Sequence, residues 1–138
     1  MPSEGRVVSG FGMRMHPMSL WLRGDEDITA VASYVASLPP THPAPIIDGG
    51  DAQKGSTYYQ ACAACHGPEG KGDQTKNSPP LVGLNDWYLV ESLRKFKAGI
   101  RGDNPQDPNA ILMRGMSNML TDEQAIRDVV AYIVTLDK

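Results

Sequence analysis

Apolar side chains recur at helical spacing in four stretches of the chain, and segments rich in glycine and proline separate these stretches. The first helix is predicted to begin at Asp25 and to end before Pro39 and Pro40, because proline cannot continue a helix. Its apolar face consists of Ile28, Val31, Ala32, Val35 and Leu38. Before it, residues 1–24 are rich in glycine and methionine, and we interpret them as a methionine-rich loop.

The other three helices follow a proline-rich linker. One is predicted from Asp51 into the segment Cys62–His66, and a second after Asn85–Asp86. The last begins near Thr121–Gln124, whose residue types are typical of a helix cap. The connecting segments are 67–80, 102–108 and a methionine-bearing stretch, 111–120. No segment alternates as a strand does, so the sequence predicts an all-α fold.

Composition narrows the functional classes without identifying one. A chain of 138 residues fits one domain of ordinary size with an appendage. Its net charge of −3 gives no argument for nucleic acid as a partner. No apolar run is long enough to cross a membrane.

The segment Cys62-Ala63-Ala64-Cys65-His66 has the spacing of an attachment site for c-type haem. On one helical turn, two thiols can meet two vinyl groups on the same edge of the macrocycle, and the next imidazole reaches the iron. Haem attachment of this kind implies export, which places the protein in the periplasm or otherwise outside the cytoplasmic membrane. Met1–Glu4 nevertheless opens no signal peptide.

Two other sites share the CxxC spacing, namely a thioredoxin-like redox pair and half of a zinc site. Zinc usually needs four ligands, and the chain offers only His16 and His42 besides the motif. The redox interpretation needs a βαβ pattern, which is not visible here. We therefore expect one haem c, bound through Cys62 and Cys65.

An internal repeat relates the front of the chain to its end. Shifting the sequence by 98 residues superimposes Met15, Met18, Ser19, Leu22, Ile28, Val31, Tyr34 and Leu38 on Met113, Met116, Ser117, Leu120, Ile126, Val129, Tyr132 and Leu136. The repeat favours two parts: residues 1–44 as the remnant of a preceding haem domain, and residues 45–138 as a haem domain. Met15 is then the counterpart of an iron ligand whose haem this chain cannot itself attach.

An ordered set of motifs accompanies the attachment sequence. They are Gly55, Tyr59, Pro79-Pro80-Leu81-Val82-Gly83, Trp87-Tyr88, Phe96-Lys97-Ala98-Gly99-Ile100-Arg101-Gly102, Met113, Leu120-Thr121-Asp122 and Tyr132. With them, the chain resembles class I cytochromes c, and most closely the two-haem cytochrome c4 group. The resemblance runs from about Asp48 to Leu136 and implies helices wrapped around one haem. At its front the chain departs from that group, because only the end of a first domain is present.

The resemblance implies a role for each candidate ligand. His66 is the proximal ligand, and a carbonyl at Pro79 or Pro80 holds its second ring nitrogen. Met113 is the expected sixth ligand, by its spacing of seven residues before Leu120. Met116 is the second candidate for the sixth ligand and Met119 the third. For each methionine, the alternative role is packing in the hydrophobic core.

The sequence gives a weaker indication of which residues donate hydrogen bonds to the haem propionates. Trp87 and Arg101 carry suitable N–H groups, although a core tryptophan and a surface arginine explain them equally well. A ring of cations around the haem edge would orient acidic partners, but a solvated surface is the favoured interpretation. These cations are Lys54, Lys71, Lys76, Arg94, Lys95, Lys97 and Arg101.

These features together predict a soluble electron carrier rather than an enzyme. We expect a His/Met-ligated haem that moves single electrons in a respiratory chain, between redox proteins such as a membrane reductase and a terminal oxidase. The alternative is a haem peroxidase or small-ligand sensor with a labile sixth ligand. Residues 1–44 carry an apolar face that we expect to pack on this domain, a second copy or a partner.

Overall fold

The computed structural model describes residues 10–136, so Met1–Glu4 and the start of the predicted remnant lie outside the described residues. The described part contains six α-helices and no β-strand, which confirms the all-α prediction. They are α1 (Gly10–Ser19), α2 (Asp25–Ser37), α3 (Ala52–His66), α4 (Asp86–Lys97), α5 (Pro108–Ser117) and α6 (Glu123–Leu136). One turn of 3₁₀ helix, Gln74–Lys76, lies between α3 and α4. The chain divides into two compact units between Pro40 and Thr41.

In the first unit, residues 10–19 of the segment predicted as a methionine-rich loop form the helix α1 instead. Methionine and arginine are good helix formers, and here they outweigh the glycines and Pro17. At its end, Ser19 Oγ donates to the His16 carbonyl at 2.8 Å. The helix α2 begins at Asp25, as predicted. Its first turn carries three acidic residues, whose negative charges interact favourably with the positive end of the helix dipole.

The core of the second unit lies between α6 and the helices α3 and α4. It contains Tyr59, Leu89, Val90, Leu120, Ala125, Ile126, Val129, Val130 and Ile133. α6 is apolar on the face that packs against α3, as its helical periodicity predicts.

The helices α3 and α6 cross where α3 carries a glycine. A Cβ atom at Gly55 would lie 1.9 Å from the Asp128 carbonyl oxygen, so only glycine fits at this distance. One turn later, the rings of Tyr59 and Tyr132 lie 5.2 Å apart, centroid to centroid. The crossing therefore depends on a missing side chain and on an aromatic pair beside it.

Two buried carboxylates, on α4 and α6, hold the segment that precedes α3 against these helices. Asp86 accepts hydrogen bonds from the Ile46 and Ile47 amides at 2.7 and 2.6 Å. Asp128 accepts one from the Asp51 amide at 2.8 Å. The end of the predicted linker thus belongs to the second compact unit, which begins at Thr41.

Aspartates also cap the helices that carry the site. Asp51 accepts from the Gln53 and Lys54 amides at the start of α3. Asp107 caps α5 through the Ala110 amide at 2.9 Å, and Asp122 caps α6. Among the described helices, none is both long and apolar enough to cross a membrane.

Candidate functional site

The last turns of α3 carry the cysteine pair. Cys62 and Cys65 lie one turn apart on this helix, and both side chains are half-buried free thiols. Cys62 Sγ lies 3.8 Å from the Tyr58 carbonyl. Burial raises the pKa of the Cys62 thiol, so the side chain is neutral at neutral pH. The two sulfurs are thus presented on one helical turn, as attachment to a single macrocycle requires.

The imidazole of His66 is buried and held in one orientation. Its Nδ1 lies 2.8 Å from the Pro79 carbonyl oxygen. A carbonyl can only accept, so Nδ1 carries the proton and Nε2 is left as the ligand atom. Of the two prolines that the sequence offered for this contact, Pro79 is the one whose carbonyl lies against the imidazole.

The loop after α3 is fastened at several points, so the Pro79 carbonyl has a defined position. The Gly72 amide donates to the His66 carbonyl at 2.8 Å. A Cβ atom at Gly72, whose φ is 77°, would lie 2.6 Å from the Ser78 carbonyl oxygen. Lys76 Nζ also donates to the Ala64 carbonyl at 2.8 Å, within the cysteine motif itself. The loop therefore follows the attachment turn closely.

The candidate sixth ligands lie on α5. Met113 and Met116 are three residues apart on this helix, and both are half-buried. Met119 follows the helix and its side chain is 59% exposed. The predicted methionine-bearing stretch is therefore a capped helix with two partly enclosed thioethers, and Met119 is the least suited of the three. Met15 lies on α1 in the first unit and is exposed.

The two predicted propionate donors lie on α4 and just after it. Trp87 is 45% exposed, and its ring meets the edge of the Tyr88 ring. The guanidinium carbon of Arg101 lies 4.5 Å from the centroid of the Phe96 ring, and Nη1 donates to Ser92 Oγ at 3.2 Å. Protein contacts alone account for the position of this arginine.

Most of the predicted ring of cations is paired within the second unit. Arg94 contacts two acids, Glu91 at 2.5 Å and Glu123 on α6. Lys97 donates to the Leu120 carbonyl. The pairs Lys54–Asp51, Lys71–Glu69 and Lys76–Asp73 are also present. These contacts agree with the favoured interpretation of these cations as a solvated surface.

The residues present fit a covalently attached haem. Two thiols stand on one turn, and an imidazole beside them has its outer nitrogen held. In the described part of the chain, no three His, Cys, Asp or Glu side chains cluster so as to hold a bare metal ion. The two thiols and the oriented imidazole together define a haem-binding protein of the c type.

Comparison with known proteins identifies the family. The model of the cytochrome c family matches residues 52–137, and the chain belongs to this family. It is a class I cytochrome c close to the cytochrome c4 group, and it carries haem c. The chain is thus a c-type cytochrome, a class of electron carriers.

Three relatives show how far the similarity extends. Cytochrome c4 of Thiocapsa roseopersicina is 31% identical over 121 residues, covering 80% of this chain and 59% of the relative. Cytochrome c-554(548) of Halomonas halodenitrificans is 37% identical over 83 residues, covering 60% of this chain and 93% of the relative. The cbb3-type cytochrome c oxidase subunit FixP of Bradyrhizobium diazoefficiens is 38% identical over 86 residues, covering 57% and 28%.

The chain spans 40% to 59% of the length of the cytochrome c4 relatives that it matches. The match to the Thiocapsa protein covers 80% of this chain, which is more than the second unit contains. It therefore reaches into the first unit as well.

Proposed function

We propose that this protein carries single electrons in a respiratory chain outside the cytoplasmic membrane, through a haem iron ligated by His66 and Met113. The observation that carries this proposal is the buried imidazole of His66, directly after the cysteine pair and oriented by the Pro79 carbonyl. When bound, haem supplies a one-electron Fe(III)/Fe(II) couple. No substrate bond is made or broken in this function, so the protein acts as a carrier and not as an enzyme.

The chain's own residues prepare the site in three ways. Cys62 and Cys65 hold the cofactor covalently, so it stays attached in both oxidation states. The Pro79 carbonyl keeps the imidazole of His66 in one tautomer and one rotation. A thioether from α5 would favour Fe(II) and would keep oxygen and peroxide from reacting at the iron.

The choice of Met113 rests on the family spacing, since Met116 is also half-buried on α5. We further propose that Trp87 and Arg101 border the propionates. For Arg101, the contact with Phe96 would hold the guanidinium in a fixed position for that role.

The relatives suggest the partners. FixP is named as a subunit of a cbb3-type oxidase. By that likeness, we propose a membrane reductase as the electron donor and a terminal oxidase as the acceptor. We also propose that residues 1–44 derive from a preceding haem domain and that residues 45–138 form the haem domain. The match that reaches into the first unit supports this division.

Absorption spectra of the holoprotein and three variants test the ligation. We expect a low-spin c-type spectrum for the reduced protein, and a weak far-red sulfur-to-iron band for the oxidised protein. Met113→Ala should abolish that band and lower the reduction potential, whereas Met116→Ala should retain the band. Met119→Ala is the matched control, because this methionine is exposed.

The opposite outcomes have defined meanings. Loss of the band in Met116→Ala, with the band retained in Met113→Ala, would transfer the ligand role to Met116. A wild-type protein without the band would refute His/Met ligation altogether.

One feature favours a second candidate, a haem peroxidase or ligand sensor with a labile sixth position. Met113 and Met116 are similarly enclosed and lie one turn apart, so each is placed to replace the other. A high-spin ferric spectrum and rapid carbon monoxide binding by the reduced wild-type protein would support this function. Slow binding together with a low-spin spectrum would exclude it.

A further inference from the structure

The turn after α4, residues 98–102, is fastened to that helix. The amides of Ile100 and Arg101 both donate to the Lys95 carbonyl, at 2.9 and 3.1 Å. The guanidinium of Arg101 also lies over the ring of Phe96. These bonds close the end of α4 and give the turn a fixed position relative to the helix.

Helix α5 lies against this turn with no side chain between them. Gly102 is buried, and a Cβ atom there would lie 2.4 Å from the Ala110 carbonyl oxygen and 2.9 Å from Arg114 Cβ. Both of these atoms belong to α5, and a backbone oxygen cannot give way unless the helix moves. The missing side chain of Gly102 therefore sets how closely α5 approaches the turn.

The end of the α5 segment is held from the same side. Lys97, the last residue of α4, donates from Nζ to the carbonyl of Leu120. Leu120 follows α5 and is buried in the core of the second unit. Residues 97–102, called the support segment below, thus contact the α5 region at its first turn and just beyond its end.

The candidate ligands lie beside the supported face of α5. Ala110, Arg114 and Ser117 share one face of this helix, because they are spaced by four and three residues. Met113 comes directly before Arg114, on the flank of that face, and Met116 lies one turn further on the same flank. A displacement of α5 at the support segment therefore displaces the thioethers as well.

We propose that the support segment positions α5 for the sixth ligand, with Gly102 as the positioning residue. Gly102 acts through α5, since a Cβ at this position moves the helix away from the place at which its thioether binds the iron. The methionine–iron bond then opens more often. The inference rests on the proposed His/Met ligation and adds what keeps the sixth position closed.

Gly99 provides a matched comparison within the same turn. Gly99 and Gly102 have φ angles of 72° and 77°, so alanine meets similar backbone strain at either position. A Cβ atom at Gly99 would lie 3.0 Å from a guanidinium nitrogen of Arg114. That nitrogen is the far end of a flexible side chain and can swing aside. Gly99→Ala therefore reproduces the strain without displacing α5.

Carbon monoxide binding to the reduced holoprotein tests the proposal by stopped flow. The ligand binds only while the methionine is off the iron, so the observed rate follows the population of the open form. Gly102→Ala should bind carbon monoxide about tenfold faster than wild type, whereas Gly99→Ala should differ less than about threefold. In the oxidised proteins, the far-red band should weaken in Gly102→Ala and persist in Gly99→Ala.

A second variant tests the support segment from its other end. Lys97→Leu removes the donor to the Leu120 carbonyl, and it should speed carbon monoxide binding about threefold. Lys71→Leu is the control, because it removes the same charge from a lysine that pairs with Glu69 in the loop after α3. Far-ultraviolet circular dichroism checks that each variant is folded. If Gly102→Ala does not fold, the comparison of the two lysine variants decides.

The outcomes separate this proposal from the ligation on which it rests. A wild-type protein without the far-red band refutes both, because no methionine is then held at the iron. A wild-type band that Gly102→Ala retains at full strength overturns the positioning role alone. Equal carbon monoxide rates in the two glycine variants, or in the two lysine variants, would overturn it as well.

Discussion

At the scale of single residues, Tyr59 connects the hydrophobic core of the second unit to the loop that follows α3. Its ring is buried in the core of the second unit, and its hydroxyl donates to the Gly67 carbonyl at 2.7 Å, directly after His66. Burial raises the pKa of Tyr59 to about 12, and the nearby charges of Cys62 and Tyr132 add to the shift. In the holoprotein Cys62 is an uncharged thioether, so burial remains the main cause.

This raised pKa predicts a loss of stability at alkaline pH. The unfolded chain releases the Tyr59 proton near pH 10, whereas the folded protein retains it up to about pH 12. The contribution is therefore fully present below pH 10 and disappears as the pH rises to 12. It amounts to at most about 2–3 kcal/mol.

Guanidinium unfolding of wild-type protein and Tyr59→Phe at pH 8 and pH 11.5 measures this effect. At pH 8 the variant should be about 1 kcal/mol less stable, because the Gly67 carbonyl loses its donor. At pH 11.5 the difference should shrink or reverse. Parallel losses of stability in the two proteins would show that other groups titrate instead.

The sequence identified the residues with covalent chemistry but missed two buried aspartates whose roles are purely structural. Cys62, Cys65 and His66 stand out because their spacing has one strong chemical interpretation. Asp86 and Asp128 did not, although an aspartate among the apolar positions of the last helix is a signal of a buried acceptor. Their partners are backbone amides 40 and 77 residues away, which no local pattern reveals.

At the scale of helices, the crossing of α3 and α6 tolerates no side chain at Gly55. Gly115 on α5 offers a matched comparison, because it also lies within a helix but has no atom within 4 Å of an added Cβ. One glycine is required by packing, and the other only lowers helix propensity.

The substitutions Gly55→Ala and Gly115→Ala should therefore have opposite effects. Gly55→Ala forces the helices apart and should lower the free energy of unfolding by about 3 kcal/mol. Gly115→Ala should raise it by about 0.5–1 kcal/mol. Chemical denaturation of the holoproteins measures both values. A change below 1 kcal/mol for Gly55→Ala would mean that the crossing is looser than the structure shows.

The helices themselves were largely predictable. Periodicity indicated α2, α3, α4 and α6, and turn-forming residues marked their ends. The exception is α1, interpreted as a loop because glycine, Pro17 and methionine give no apolar face of their own. Its counterpart α5 was also predicted only as a methionine-bearing stretch. Pro108 opens this helix, but proline is as common in loops as at the first position of a helix.

At the scale of the whole molecule, the haem-bearing unit has its own core. Every buried apolar residue of this core lies in the second unit, and Ile47 is the earliest residue packed against it. The stability of this unit should therefore depend on where the chain is cut. The amides of Ile46 and Ile47, which bond Asp86, mark the sensitive point.

Two truncations of the holoprotein test this expectation. Removal of residues 1–40 should change the free energy of unfolding of the haem unit by less than about 1 kcal/mol, or its Tm by less than about 5 °C. Removal of residues 1–47 also takes away two of the three amide donors to the buried Asp86 carboxylate, and it should cost about 2–3 kcal/mol more. Equal stability of the two truncated proteins would contradict the anchoring role of Asp86.

The sequence by itself determined the cofactor, the helical class and the repeat, because each rests on short-range spacing. The spacing of the two cysteines and the histidine indicates covalent haem attachment, and apolar residues with a period of 3.6 indicate a helix. Tertiary structure alone decided which proline carbonyl holds His66, which methionines are enclosed, and which of two similar apolar faces is covered. The helices α2 and α6 have nearly the same local pattern, yet only α6 is buried. Burial depends on the helix that packs across it, and a sequence pattern does not specify that neighbour.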